Sequence, residues 1–492
     1  MNIKTPSFAV LGHPNEGKSS VVSTLAEDDQ VKISPTPGET RECREYPVVI
    51  DGATVLRFID TPGFQNPRRT LEWLDAYTGP DERMISEFIR THRGDDDFSD
   101  ECELLAPLAA GAGIIFVADG SRPFRQIDAI EMEILRKTGL PRMIVINTKD
   151  RETTDNIAVW KQEARKHFNT VRMFDAQRAG FAQRIALLES IKHIDPEGQP
   201  ALEDTIAAFR ADWHQRIGET AGIIEQLLQT VTGHTMETLC KDAAHIEAAR
   251  EALTRSYQDQ IAKFEKQAHQ KIKKQFKHNR FSYELPTQSI LHHDLFGKKT
   301  WQVLGLSRRQ MAIAGAGIGA GIGAQVDLAL GGLTFGIFTA AGSAFGAGSA
   351  GAGMKKVAGA RIKGLRLGGV KIEVGPVEND ALLYVLTDRC LVYFYHVTHW
   401  THSRRDAPDA GAFEKADITP HLSGAWPAEN RKISREFFKA LKKKDGRGTG
   451  TASLSFRKML VAVLTDISGS ADSPGSLSGQ VAPARDGRGA PV

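Results

Sequence analysis

The stretch Gly12-His13-Pro14-Asn15-Glu16-Gly17-Lys18-Ser19 constrains this chain more than any other. It follows an apolar run, Phe8-Ala9-Val10-Leu11, and leads into Val21-Val22-Ser23-Thr24-Leu25, which continues as a helix. Strand, glycine loop and helix, with Lys and Ser at this spacing, make a phosphate-binding loop. Backbone N–H groups of such a loop wrap a β-phosphate, and the helix N-terminus adds partial positive charge. The expected binding set is Gly12, Asn15, Glu16, Gly17, Lys18, Ser19 and Ser20. Lys18 would reach the β- and γ-phosphates, and the Ser19 hydroxyl would ligate Mg²⁺. The alternative is a glycine turn that binds nothing.

Three further segments follow in an order that guanine-nucleotide hydrolysis requires. Leu56-Arg57-Phe58-Ile59 reads as a strand ending in Asp60-Thr61-Pro62-Gly63. Asp60 can hold Mg²⁺ through water, and the Gly63 N–H can meet a γ-phosphate. Met143-Ile144-Val145-Ile146 reads as another strand and ends in Asn147-Thr148-Lys149-Asp150. The Asp150 carboxylate can accept two hydrogen bonds from the N1 and N2 edge of guanine, an edge adenine lacks. Between the phosphate loop and the Asp60 strand lies Pro37-Gly38-Glu39-Thr40-Arg41, where Thr40 can join the Mg²⁺ shell when γ-phosphate is present. Lys18, Thr40, Gly63 and Asn15 are the candidate catalytic residues. Asn147, Lys149, Asp150 and Ala176 are the candidate base contacts, and Ser19, Thr40 and Asp60 the metal set.

On these motifs the first 195 or so residues resemble the translation-factor-related GTPases, and within them the Era/EngA/TrmE-like branch. The whole chain resembles a bacterial GTPase family carrying a C-terminal domain called DUF3482. The resemblance implies GTP and GDP as ligands, Mg²⁺ as cofactor, and hydrolysis used as a switch. Phe64 stands where Ras-like enzymes keep a water-orienting glutamine. A phenyl ring cannot hydrogen-bond water, so slow turnover is expected. Some members of the branch recruit K⁺ through the Asn of the loop, which here is Asn15; either it holds K⁺ or it braces the loop. Thr148 replaces the usual Lys of the guanine motif. The last guanine loop, after Val171-Arg172-Met173-Phe174, reads Asp175-Ala176-Gln177, where the Ala176 N–H can meet the guanine oxygen.

A chain of 492 residues is too long for one core and suggests about three domains. Lys plus Arg, 63, nearly balance Asp plus Glu, 60, so net charge points to no partner. Cys43, Cys102, Cys240 and Cys390 are scattered, which fits a reducing cytosol and argues against a disulfide frame. The N-terminus shows no long apolar segment of a secretory signal.

The expected fold is α/β: a doubly wound, mostly parallel sheet over 1–195, with strands near Ala112–Ala118 and Val171–Phe174. Arg68 to Leu108 reads as a solvated insert with helical patterns and an acidic run, Asp95-Asp96-Asp97, or else as a partner-sensing element. Residues 196–310 form a helical region, almost wholly helical from Ala201 to Arg280 and basic at its end. That end, with Lys263, Lys266, Lys271, Lys273, Lys274, Lys277 and Arg280, is a solvated face, a lipid-headgroup contact or an RNA contact, in that order.

Residues 311–354 are about a third glycine with Asp327 the only charge, and Arg308-Arg309 and Lys355-Lys356 flank them. Small-xxx-small pairs such as Gly319/Gly323 and Gly342/Gly346 allow close helix packing in lipid. The flanking cations predict a hairpin entering from the cytoplasmic face of the inner membrane. Its first arm is shorter than the ~20 residues of a full crossing, so a shallow insertion or a soluble glycine-rich packing hairpin stays open. Residues 355–466 read as an α-rich DUF3482-like domain, with a strand-like segment at Arg361–Val374, a helix from Asp380 to Arg405 and a basic helix at Ser434–Lys444. His396, His399 and His402 repeat every three residues; zinc is conceivable there, but satisfied or surface histidines fit better, because no further ligand completes a set. The tail, 467–492, is expected to be disordered. Candidate partners beyond nucleotide are membrane lipid, a protein encoded nearby, and, with less support, RNA or the ribosome. A regulatory scaffold that binds nucleotide with little hydrolysis is the remaining class.

Overall fold

The computed structural model describes residues 5–27, 42–148, 154–176, 178–196, 198–240, 245–277, 361–366, 369–377, 380–401, 421–443 and 449–469. The N-terminal part is the expected doubly wound unit. Its elements run β1 (Ser7–Leu11), α1 (Lys18–Ala26), β2 (Arg44–Ile50), β3 (Ala53–Asp60), α2 (Pro67–Ala76), α3 (Asp81–His92), α4 (Ser99–Ala109) and β4 (Gly113–Asp119). It continues with α5 (Gln126–Lys137), β5 (Arg142–Asn147), α6 (Thr154–Ala164), β6 (Thr170–Phe174) and α7 (Phe181–Ile194). The strands lie in the order β2-β3-β1-β4-β5-β6. Only β2 runs antiparallel, paired with β3 as a hairpin through the Asp51-Gly52 turn. The central strands β1 and β4 carry continuous apolar runs because helices cover both their faces. β1 and β3 pair in parallel, with Val10 opposite Asp60, so the phosphate loop and the Asp60 turn leave the same edge side by side.

The stretch from Arg68 to Leu108 is not a solvated insert. It supplies three packed helices, and Leu74, Met84, Ile85, Phe88, Leu104 and Leu105 are all buried in one of the sheet's two apolar layers. Phe88 and Phe98 meet edge to face at 5.5 Å, and His92 lies 4.1 Å from the Phe98 ring. The acidic run stays at the surface, where Asp97 pairs with Arg69 at 2.6 Å.

The chain then enters α8 (Gln199–Gly233), 35 residues long. Leu202, Ile206 and Phe209 at its start pack into the sheet's other apolar layer. From Trp213 onward its buried residues belong to a different core. That second core also takes in α9 (Ile246–Gln275), α10 (Asp380–His399), α11 (Ala428–Leu441) and α12 (Thr449–Gly469). Residues expected to fall in two separate regions, 196–310 and 355–466, thus share one apolar interior.

The run from Ala201 to Arg280 is not wholly helical. β7 (Met236–Cys240) interrupts it and pairs antiparallel with β9 (Gly369–Val374). The expected strand-like segment is in fact two strands, since β8 (Arg361–Arg366) folds back on β9 to give a sheet of order β7-β9-β8. On α9, Ile272 and Phe276 turn inward, while Lys263, Lys266, Lys271 and Lys274 stay exposed, as on a solvated face. α12 reaches Gly469 with Ile467 fully buried, so the tail begins later than 467.

His396 and His399 are packed, not poised for metal. His399 stacks on Tyr395 at 4.1 Å, and burial pushes the His396 pKa down to about 4. No cluster of metal-ligating side chains occurs among the described residues, and His402 lies outside them. No helix among the described residues is long and apolar enough to cross a membrane, and the glycine-rich segment 311–354 lies outside them.

Asp388 on α10 is fully enclosed. It accepts hydrogen bonds from the Ser423 N–H at 2.7 Å and the Ser423 hydroxyl at 2.6 Å, and burial raises its pKa from 3.8 to about 7. A carboxyl whose pKa rises on folding favours the fold while protonated. Its contribution is complete below pH 3.8 and is lost as pH climbs through 7. Denaturation of the intact chain should show stability falling across that window by up to ~1.4 kcal/mol per pH unit, and Asp388→Asn should flatten the fall. An equal slope in the variant would contradict this.

Candidate nucleotide and magnesium site

The site begins at the end of β1. Lys18, only 8% exposed, donates from Nζ to the Gly12 carbonyl at 2.9 Å and the His13 carbonyl at 3.1 Å. Both acceptors belong to the loop, so the ammonium sits at the loop's centre. Burial lowers its pKa, while Asp60, Glu131 and Glu16 nearby hold it up. Ser19 and Ser20 follow, half-buried in the first turn of α1.

Ser19 donates its hydroxyl hydrogen bond to Asp60 Oδ2 at 2.8 Å. The other oxygen, Asp60 Oδ1, is buried with no hydrogen-bond partner. Burial raises the Asp60 pKa, while the Ser19 hydrogen bond and the charges of Lys18 and Arg44 hold it down. A hydroxyl, a carboxylate and an unsatisfied oxygen at the mouth of a phosphate loop form an oxygen donor set suited to Mg²⁺. Thr40 lies outside the described residues.

Two glycines are needed for close approach. A Cβ on Gly63 would sit 2.6 Å from Pro14 Cδ, so the turn after Asp60 lies directly on the phosphate loop. A Cβ on Gly17 would lie 2.5 Å from Asn147 Nδ2. Phe64, next in line, is 2% exposed and points into the core. Asn15 is exposed at φ 68°, at the outer rim of the loop.

Asn147 acts as a bridge. Its Nδ2 donates to the Glu16 carbonyl at 3.2 Å, and its Oδ1 accepts the Ala176 N–H at 3.3 Å. The N–H expected to meet the guanine oxygen is therefore occupied by Asn147, because the two loops close on each other at this point. Lys149 and Asp150 lie outside the described residues.

Several side-chain contacts that hold the site together carry no sequence signal. Thr24 on α1 donates to the Ala176 carbonyl at 2.7 Å. Glu16 reaches back with its side chain: Oε1 accepts Arg122 Nε at 2.6 Å, and Oε2 takes the Asp119 N–H. Arg122 then grips Asp128 with both terminal nitrogens, at 2.8 and 2.6 Å. His13 meets the buried Glu131 at 2.9 Å, a hydrogen bond that raises the His13 pKa. The loop is thus pinned from below by side chains of α5 and the β4 turn. The fixed spacing of the motif says nothing of these partners, which depend on the tertiary approach of α5.

Comparison with known proteins agrees with this geometry. The family model described as a 50S ribosome-binding GTPase matches residues 7–148. The model of the domain of unknown function DUF3482 matches residues 161–462, more than half of the chain. Among curated proteins, the tRNA modification GTPase MnmE of Petrotoga mobilis is 29% identical over 140 residues, which are 28% of this chain and 25% of that protein. GTPase Der of Mycoplasma pneumoniae is 24% identical over 163 residues, 33% of this chain and 31% of that one. GTPase Era of Caldicellulosiruptor saccharolyticus is 25% identical over 198 residues, 40% of this chain and 58% of that one. The chain therefore spans between a quarter and somewhat over half of these relatives' lengths. Among solved structures, an Aquifex aeolicus Era variant bound to GDP and aluminium fluoride is 18% identical, with a TM-score of 0.28 over 54% of this chain and 88% of that one. NFeoB from S. thermophilus, bound to GDP, aluminium fluoride and K⁺, is 16% identical, with a TM-score of 0.20 over 53% of this chain and 90% of that one. The chain is a member of the DUF3482 family, with an Era/Der/MnmE-like P-loop GTPase domain preceding the DUF3482 domain.

Proposed function

We propose that this protein hydrolyses GTP slowly, as a timer for a change of shape, and works at a membrane surface. The observation that carries the reading is the convergence of Lys18, Ser19 and Asp60 on one point, with the Asp60 Oδ1 oxygen left unsatisfied there. Water attacks the γ-phosphorus in line, and the bond to the β–γ bridging oxygen breaks. Lys18 and the loop N–H groups from Asn15 to Ser19 stabilise the charge that builds on the phosphoryl oxygens. The Gly63 N–H would donate to the γ-phosphate. Ser19 and Asp60, joined by Thr40, would hold Mg²⁺, which when bound neutralises charge shared by the β- and γ-phosphates.

Phe64, directly after Gly63, is buried in the core and cannot orient the attacking water. Turnover should therefore be slow. Asn15 at the loop rim is offered as a K⁺ ligand, the ion supplying the charge that an arginine finger brings elsewhere. Asp150, following Lys149, is the reader of guanine.

The membrane part of the proposal rests on the composition of 311–354 and its flanking cations. The domain limits proposed are 1–195 for the GTPase unit and 196–469 for the remainder. The test is one set of measurements on the intact chain: GTP turnover in K⁺ and in Na⁺ buffer, with sedimentation on anionic vesicles in GTP and GDP. Faster turnover in K⁺ is expected, and vesicle binding should disappear on deletion of 311–354 while nucleotide binding persists. Equal turnover in the two salts removes the K⁺ role, and unchanged sedimentation of the deletion variant removes the membrane role.

A further inference from the structure

The helix that carries Lys18 and Ser19 has a second functional end. α1 stops at Ala26, and Glu27 caps it at φ 52° with its N–H donating to the Ser23 carbonyl. The Glu27 side chain is buried, 8% exposed. It forms an ion pair with Arg184 Nη1 of α7 at 2.6 Å and accepts a hydrogen bond from Arg216 Nη2 of α8 at 2.8 Å. Lys277, just past the end of α9, approaches it to 3.7 Å. Arg216 also grips Asp212 one turn back on α8. Both arginine side chains are less than a tenth exposed. Beside this cluster Trp213 of α8 stacks on Phe181 of α7 at 4.4 Å and meets Phe276 edge to face at 5.2 Å.

A single carboxylate therefore gathers the P-loop helix, the helix after the last guanine loop, and the two long helices that follow. Glu27 lies in the segment matched by the GTPase family model, and Arg216 in the segment matched by DUF3482. The intervening helix is short and closely held. α1 has nine residues, about 13 Å of rise, and Thr24 midway along it holds the Ala176 carbonyl. A helix fixed at Lys18, Thr24 and Glu27 moves as one body. A buried ion pair contributes less to net stability than to fixing one arrangement over others, so the natural role of this one is registry between two units.

We propose that Arg216 of the DUF3482 portion is a positioning residue for the GTPase site, acting through Glu27 on the helix that carries Lys18 and Ser19. Nucleotide state and the seating of α8 then share one equilibrium, and each biases the other. This rests on the reading that guanine nucleotide sits at Lys18.

The test measures release of a fluorescent GDP analogue from the intact chain. Arg216→Met, which keeps bulk and removes charge, should speed release by about tenfold. Glu27→Gln should do the same, and the double variant should go no further than either single one. Arg216→Lys, which keeps the cation, should stay within about threefold of the unaltered chain. A merely structural pair would lower the thermal midpoint and leave GDP release from folded protein unchanged, and that result overturns the proposal. A second measurement needs no variant: amide hydrogen exchange across residues 209–217 of the unaltered chain, with GDP and with a non-hydrolysable GTP analogue. Different protection in the two states supports the coupling, and identical protection overturns it. If the unaltered chain binds no GDP analogue at all, the nucleotide reading fails as well; if it binds GDP and the variants release it normally, only the coupling fails.

Discussion

Replacing Lys18 with alanine is expected to weaken guanine-nucleotide binding by roughly two orders of magnitude and to leave the fold intact. The side chain is buried at the centre of the loop and already holds the Gly12 and His13 carbonyls. A phosphate placed in that loop would replace those neutral acceptors with charged ones. A charge-assisted hydrogen bond contributes ~1.5–3 kcal/mol, and each 1.4 kcal/mol is about tenfold in affinity. Lys18→Met is the better structural control, because its stem fills the same space. Titration with fluorescent GDP and GTP analogues, with ATP as competitor, reads the effect. Undiminished affinity in Lys18→Ala, or ready displacement of GTP by ATP, would sink the assignment of the site.

The second large effect belongs to the helical core. Arg389 of α10 and Glu265 of α9 are each 3% exposed, and Arg389 Nη2 lies 3.1 Å from Glu265 Oε2. His269 is 3.7 Å from the same carboxylate and stacks on Tyr393 at 4.2 Å, and burial keeps its pKa near 3, so it is neutral. Arg389 is the cation whose charge offsets Glu265 among the described residues. Arg389→Ala should therefore cost ~3–5 kcal/mol, a large part of the ~5–15 kcal/mol that holds an ordinary domain together. The pair Glu265→Gln with Arg389→Met should cost less than Arg389→Ala alone, because no buried charge is left unmatched. Chemical denaturation followed by far-UV circular dichroism checks both. A loss below about 1 kcal/mol in Arg389→Ala would show that water reaches the pair.

The N-terminal fold was readable because three of the four nucleotide motifs sit directly behind apolar strands. Phe8–Leu11, Leu56–Ile59 and Met143–Ile146 announce both the strand and the loop that follows it. Lys18, Ser19 and Asp60 could be named from spacing alone, and they do converge. What spacing does not encode is what a side chain meets from elsewhere in the chain. Asn147 looked like a base contact and is found spanning Glu16 and Ala176. Glu16 looked like a loop amide and is also the anchor for Arg122.

β7 escaped notice for the same reason. Met236–Cys240 has little intrinsic claim to be a strand, and its partner is β9, far along the chain at Gly369–Val374. The three helices between Arg68 and Ala109 were obscured by their polar faces and by Asp95–Asp97. Their buried side, with Leu74, Phe88 and Leu104, becomes evident only once the sheet is there to receive it.

The length of α8 has a mechanical consequence. Its 35 residues extend about 50 Å, and no proline follows Pro200 within it to make a hinge. One end is wedged against the nucleotide-binding sheet and the other is set among the C-terminal helices. It is a lever arm with no elbow: tilting its root by 5° would sweep the far tip through roughly 4 Å. A small displacement at the root of this helix would thus be magnified at its tip by leverage alone.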